Sequence, residues 1–198
     1  MQEFLKATEI IDWHDRSVSE LARSLSAGNS DKSEVAKSVF NWVRDNIEHT
    51  SDYNRAEVTC RASEVLSVGT GFCYAKSQLL AALMRACDIP TGFCYQRLSI
   101  DGLGAPFCLH GLNAVYLEPH GWYRLDARGN TDDLQTHFSP PVENLAFAIS
   151  LAEEHTFEAI LPDPLRVVVE ALKTAKSAAE LCQALPDLQQ IDSSTQES

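Results

Sequence analysis

The segment Gly69-Thr70-Gly71-Phe72-Cys73-Tyr74-Ala75-Lys76 is the part of this chain best suited to chemistry. A glycine turn delivers a cysteine to the start of an apolar, helix-forming run. The unpaired N–H groups and positive dipole end of a first helical turn favour a thiolate, the nucleophilic form of cysteine. The same N–H groups can hold an oxyanion, and the glycines let a substrate approach closely. A nucleophilic thiol needs a base, and the base needs an orienting group. His110, opening one predicted strand, and Asp126, ending the next, supply both. If strands 110–118 and 122–126 pair across Pro119-His120-Gly121, the two residues lie near one open end of a hairpin. Lys76, one turn after Cys73, adds charge that favours the thiolate further.

The elements that must position these groups can be read from periodicity. Residues 17–27 read as a short helix with Ser17 and Glu20 at capping-box spacing. A second helix starts near Asp31 and carries Val35, Val39, Trp42, Val43 and Ile47 on one face. Residues 48–61 lose that period and read as a loop. Ser63 caps a single turn through Leu66. A strong helix then runs from Cys73 to Cys87 and stops ahead of Pro90. Beyond Pro90 the period becomes two, with Phe93, Tyr95, Arg97 and Ser99 on one side. Strands over Leu109–Glu118 and Trp122–Asp126 follow, and residues 127–144 read as a polar surface loop. A strand near Phe157–Leu161 and helices near 164–176 and 177–185 complete the chain. Helices first and antiparallel strands after imply an α+β fold. The organisation expected is one domain over 1–190, with a core of about 31–130, a helical extension of about 160–190 and a disordered tail at 191–198.

At this point the residues also carry a family resemblance. Gly71-Phe72-Cys73, Leu79-Leu80, Arg85, Ile89-Pro90, His110 and Gly121-Trp122-Tyr123-x-Leu125-Asp126 resemble the transglutaminase-like, papain-related superfamily, in particular its small bacterial stand-alone members. The resemblance covers roughly residues 31–130. It implies a papain-like core, with the cysteine on a buried helix packed against an antiparallel sheet that carries His and Asp. It implies thiol acyl chemistry on amides, with Cys73 as nucleophile, His110 as general base and Asp126 as orienting carboxylate. Leu112 and Asn113 stand where members often have an aromatic and an acid, Arg128 where they often have Thr, and Asp88 where Gly often precedes Ile-Pro. The side-chain oxyanion donor upstream of the cysteine is open among Asn46, Tyr53 and Asn54.

The balance of 16 Lys and Arg against 28 Asp and Glu gives a net charge of −12, which speaks against gripping nucleic acid or an anionic lipid surface. The expected partner is a peptide or protein amide substrate. No calcium loop or zinc spacing is readable, so no cofactor and no metal are assigned. The six cysteines contain no C-x-x-C pair, and MQEFLKATEI does not read as a secretion signal; reduced thiols in the cytoplasm are expected. Two other readings use the same residues: a non-catalytic papain-like interaction module, and an acyl carrier resembling arylamine N-acetyltransferases. Trp122 and Tyr123 read as sheet packing rather than ligand contacts.

Overall fold

The computed structural model describes residues 1–191, and the tail expected over 191–198 lies, except for Ile191, outside the described residues. Its elements are, in order, α1 (Arg16–Ser26), α2 (Lys32–Asn46), β1 (Glu48–His49), α3 (Ala62–Val68), β2 (Thr70–Gly71), α4 (Cys73–Ala86), β3 (Thr91–Ser99), β4 (Phe107–Leu117), β5 (Gly121–Leu125), β6 (His155–Thr156), α5 (Arg166–Thr174) and α6 (Ala178–Gln183). Four strands form an antiparallel sheet in the order β5-β4-β3-β6, and β1 and β2 form a separate parallel pair. The fold is α+β, as the order of patterns implied.

Helix α4 is the centre of the molecule. Every residue from Cys73 to Arg85 is buried. Helices α1, α2 and α3 pack on it from one side, and β3 and β4 from the other. A helix surrounded in this way needs an apolar surface all round, which Leu79, Leu80, Ala82, Leu83 and Met84 supply. Its two buried cations are met by carbonyls. The Arg85 guanidinium donates to the carbonyl oxygens of Lys6, Thr91 and Pro162. Lys76 Nζ donates to the carbonyls of Ile47 and, at 3.5 Å, Arg44. The far face of the sheet is covered too: Cys94, Leu112 and Ala114 pack with Trp122, Leu145 and Ile160.

Local details differ from the sequence pattern in instructive ways. Asp15, not Ser17, caps α1, its carboxylate accepting from Ser17 and Val18 N–H. Ser63 caps nothing; its N–H and hydroxyl both donate to Asp12. The turn expected there is a seven-residue helix, entered through Glu64, which accepts from the N–H groups of Cys60 and Arg61. The loop expected over 48–61 begins with β1, which is two residues long and so has no readable period. The strand expected at 157–161 lies earlier, at β6, and continues beside β3 through single contacts at Tyr95 and Phe93. Asp88 has a φ of 57°, a left-handed conformation that Asp tolerates better than most residues, which explains how it occupies a position often held by Gly. No helix among the described residues is long and apolar enough to cross a membrane.

Candidate active site

Cys73 is the first residue of α4, and its N-cap, Phe72, offers no side-chain oxygen. The N–H groups of the first turn are therefore left for whatever lies in front of them. Gly69, with a φ of 76°, ends α3 in the left-handed region, and Gly71 lies on β2 just ahead of the cysteine. A side chain at 71 would press to 2.9 Å from Ala75 Cβ, so only glycine lets the strand approach the helix start this closely.

The sheet brings the other groups to that point. His110 sits within β4, three residues in from Phe107, not at the strand's start as the sequence suggested. Asp126 lies one residue past β5. The β4–β5 register pairs Asn113 with Leu125. Continued by one step, it puts Asp126 on the same face as His110 and diagonal to it, within reach of a long side chain. His110 Nε2 and Asp126 Oδ2 are 2.7 Å apart, both residues being buried. With Nε2 engaged, Nδ1 is the ring nitrogen left for the sulfur. Across the same gap Gly111 N–H points at Cys73 Sγ, 3.5 Å away. The structure thus brings Cys73, His110 and Asp126 together.

Electrostatics fix the charge of this group. Burial opposes a charge on His110, but the Asp126 carboxylate and the Cys73 sulfur outweigh it and raise the imidazole to about 10. Burial likewise works against the Asp126 carboxylate, and His110 together with the N–H groups of Ala146 and Arg128 holds it below the ordinary range. The pair at neutral pH is therefore imidazolium and carboxylate. Burial pushes Cys60 and Cys94 up to about 11 and Cys108 to about 12, so these three stay as thiols. The Phe147 ring stands edge-on to His110 at 4.9 Å. Ala146 and Phe147, just beyond the loop expected over 127–144, roof the His–Asp pair.

The group opens into a cavity of about 500 Å³. Its walls are mainly apolar, with Leu98, Ile100, Leu109, Phe147 and Leu185 among them. None of Asn46, Tyr53 or Asn54 lines it; the Asn46 amide donates to the Trp42 carbonyl, and Tyr53 is 59 % exposed. His49 does line it, beside Cys73 and His110, and sequence reasoning missed this residue. The β1–β2 pair sets His49 opposite Gly71 and so beside the helix start. Burial, reinforced by the positive charges of Arg128, Lys76 and His110, holds His49 well below the ordinary imidazole range, hence neutral. Its Nδ1 has no hydrogen-bond partner among the described residues; Asp52 Oδ1 is 3.7 Å away. The one hint in the sequence was the apolar–charged–His alternation Ile47-Glu48-His49 after α2, which the structure makes buried, half-buried and buried.

Arg128 closes the rim, with a bidentate ion pair to Asp52 at 2.7 and 2.8 Å. Tyr123 and Trp122 are packing residues: Tyr123 Oη accepts from Ser139 N–H, and the Trp122 ring stacks edge-on with Phe4 and Tyr116. Among the described residues there is no cluster of three or more His, Cys, Asp or Glu that could hold a metal ion.

A family model of the transglutaminase-like superfamily matches residues 19–127, more than half of the chain and a range that contains all three clustered residues. The chain belongs to the transglutaminase-like superfamily. Among solved structures, a protein from Cytophaga hutchinsonii provisionally named a cysteine protease is similar, with 21 % identity and a TM-score of 0.51, over 63 % of this chain and 40 % of that one. The periplasmic domain of TgpA from Pseudomonas aeruginosa aligns at 16 % identity and a TM-score of 0.46, over 63 % of this chain and 45 % of that one. This transglutaminase-like chain thus matches less than half the length of either. No curated protein matches it. The solved structures speak to the fold, and the family to thiol-dependent catalysis in general.

Proposed function

We propose that this protein is a cysteine hydrolase acting on a carboxamide or peptide bond. The observation that carries the reading is the meeting of the Cys73 sulfur, the His110 ring and the Asp126 carboxylate at the base of an open, largely apolar cavity. With His110 protonated, Cys73 attacks as the thiolate half of an ion pair. Its sulfur adds to the carbonyl carbon, and the resulting oxyanion is held by N–H groups of the first turn of α4 and by the neutral His49 ring. Collapse of this intermediate breaks the C–N bond, and the His110 proton leaves with the amine. The neutral imidazole then takes a proton from water, which attacks the thioester; the acid departs and the ion pair is restored. Asp126 keeps the imidazole oriented throughout and stabilises its protonated form. An amine in place of water would give acyl transfer by the same steps. Hydrolysis is the preferred reading because water, unlike an acceptor amine, needs no second binding site.

The test is alkylation by iodoacetamide near pH 7, with adducts mapped by mass spectrometry. Cys73 is expected to react well ahead of Cys182, which is exposed, and of Cys60, which is buried. The excess is expected to vanish in His110→Ala. Equal rates at Cys73 and Cys182 would overturn the reading.

A further inference from the structure

The cavity beside Cys73 is not walled by the helix and sheet alone. Cys182 and Leu185, from the segment that follows α5, also line it. That segment runs along a part of β4 that β5 leaves free, since the β4–β5 pairing begins only at Asn113. There Leu109 N–H donates to the Pro186 carbonyl at 2.7 Å, in the manner of an added strand. The neighbouring groups on the same edge already belong to the site: the Leu109 carbonyl accepts from the Tyr74 hydroxyl, and Gly111 N–H points at Cys73 Sγ.

One step further along, Asp187 is held by Arg97 in a bidentate pair at 2.7 and 2.8 Å. Arg97 is a prepared carboxylate receptor. Its side chain is 9 % exposed, its guanidinium lies 4.0 Å from the centre of the Phe107 ring, and its remaining nitrogen donates to the Glu153 carbonyl. Three recognition elements thus follow one another beside the nucleophile: an apolar cavity that Leu185 lines, a backbone N–H that receives a carbonyl, and a fixed guanidinium that receives a carboxylate.

Resting on the cysteine hydrolase reading, we propose that residues 185–187 occupy the place of an extended peptide substrate, which presents a large apolar side chain to the cavity and an acidic side chain two positions later to Arg97. The segment is then a built-in competitor, and substrate enters by displacing it. An extended chain suits this edge because alternate residues point the same way, so positions 185 and 187 are read together while the carbonyl between them satisfies Leu109.

The experiment compares the full-length protein with Leu185→Ala and Asp187→Asn. Cys73 alkylation is measured with iodoacetamide and with a bulky fluorescein-substituted iodoacetamide, and Cys182 adducts are counted separately. In both variants the bulky reagent is expected to gain on the small one, in Asp187→Asn by up to about fivefold for the loss of one partly exposed ion pair. A synthetic peptide with the sequence of residues 183–190, which has no cysteine, is expected to slow bulky labelling of Asp187→Asn, and the same peptide with Asn for its Asp is expected not to. An unchanged reagent ratio in both variants overturns the proposal. So does a raised ratio that the peptide fails to reverse, since the segment is then only a wall. Neither result touches the preference of iodoacetamide for Cys73 over Cys182, on which the hydrolase reading stands.

Discussion

Gly111→Ala tests whether the helix start and the strand are docked as tightly as the chemistry requires. Gly111 lies on β4 opposite Tyr95, and its backbone is not in the left-handed region, so alanine meets no conformational penalty of its own. The penalty is steric. A Cβ there would stand 2.9 Å from Tyr74 Cδ1, 3.4 Å from Tyr74 Cα and 3.5 Å from Tyr74 N. Comfortable carbon contacts are about 3.5–4.0 Å, so the ring edge must retreat by roughly 0.5–1 Å. The ring has little room to swing, since Tyr74 is 3 % exposed and its hydroxyl is tied to the Leu109 carbonyl. The first turn of α4 must move with it, and Cys73 is the residue before Tyr74. Overpacking of this kind costs about 1–3 kcal/mol, which for a chain of this size lowers the melting temperature by roughly 2–12 °C. The effect on chemistry is larger in proportion, because a displacement of about 1 Å at a reacting atom costs on the order of a hundredfold. Calorimetry and the Cys73 alkylation rate measure the two effects, and Gly111→Ala in a Tyr74→Ala background should cost less than in the parent. A variant that melts and reacts like the parent would refute the docking argument.

Three further expectations concern charge and hydrogen bonding. The alkaline limb of amide turnover should lie near pH 10, where His110 gives up the proton it must hand to the leaving amine, and a limb near the ordinary 6.5 would contradict the buried ion pair. Stability is a poor substitute readout. The raised His110 contributes stability fully below pH 6.5 and loses it as pH climbs through about 10, while Lys76, lowered by burial from 10.5 to about 7, makes stability rise over nearly the same interval. His49→Ala should reduce amide turnover by about a hundredfold or more if the ring holds the oxyanion, yet leave iodoacetamide labelling of Cys73 near the parent rate, because alkylation forms no oxyanion; equal losses in both assays would assign His49 to packing. Lys76→Met should cost about 1–3 kcal/mol in urea unfolding, since the carbonyls of Ile47 and Arg44 lose their buried donor; an unchanged midpoint would mean that water replaces the ammonium.

The sequence made the long elements plain because their signals are local. Helix α2 begins and α4 begins and ends within a residue of where capping, periodicity and Pro90 put them, and the β4–β5 hairpin follows from its turn and its alternation. The cysteine and the aspartate stand at the boundaries of readable elements, while the histidine lies three residues inside β4. What escaped was non-local. Strand β1 owes its existence to β2, which lies beyond α3, and two residues carry no period. His49 was therefore one histidine among several with no spacing to distinguish it. The roof formed by Ala146 and Phe147 and the segment at 185–187 lie in stretches whose residue types say turn or helix end, and only the folded sheet gives their backbone groups partners near Cys73.

This division has a chemical logic. The three groups that meet at Cys73 come from the most buried parts of the fold, α4 and the β4–β5 hairpin, where a shift of an ångström would strain packed side chains. His49, Phe147 and Leu185 surround them from outside those elements: a two-residue strand, a long loop and the segment beyond α6. Bond making needs a fixed geometry, whereas choosing and admitting a substrate needs walls that can differ between relatives and move within one molecule. A tightly packed centre ringed by other segments suits both demands. Of the departures from the family pattern, Arg128 belongs to this surrounding layer, whereas Leu112 and Asn113 are buried on β4 itself. Leu112 faces the small cluster on the far side of the sheet, Asn113 ties β4 to the Ser77 and Gly92 carbonyls, and Arg128 turns to Asp52 at the rim, so none of them alters the sulfur, the imidazole or the carboxylate.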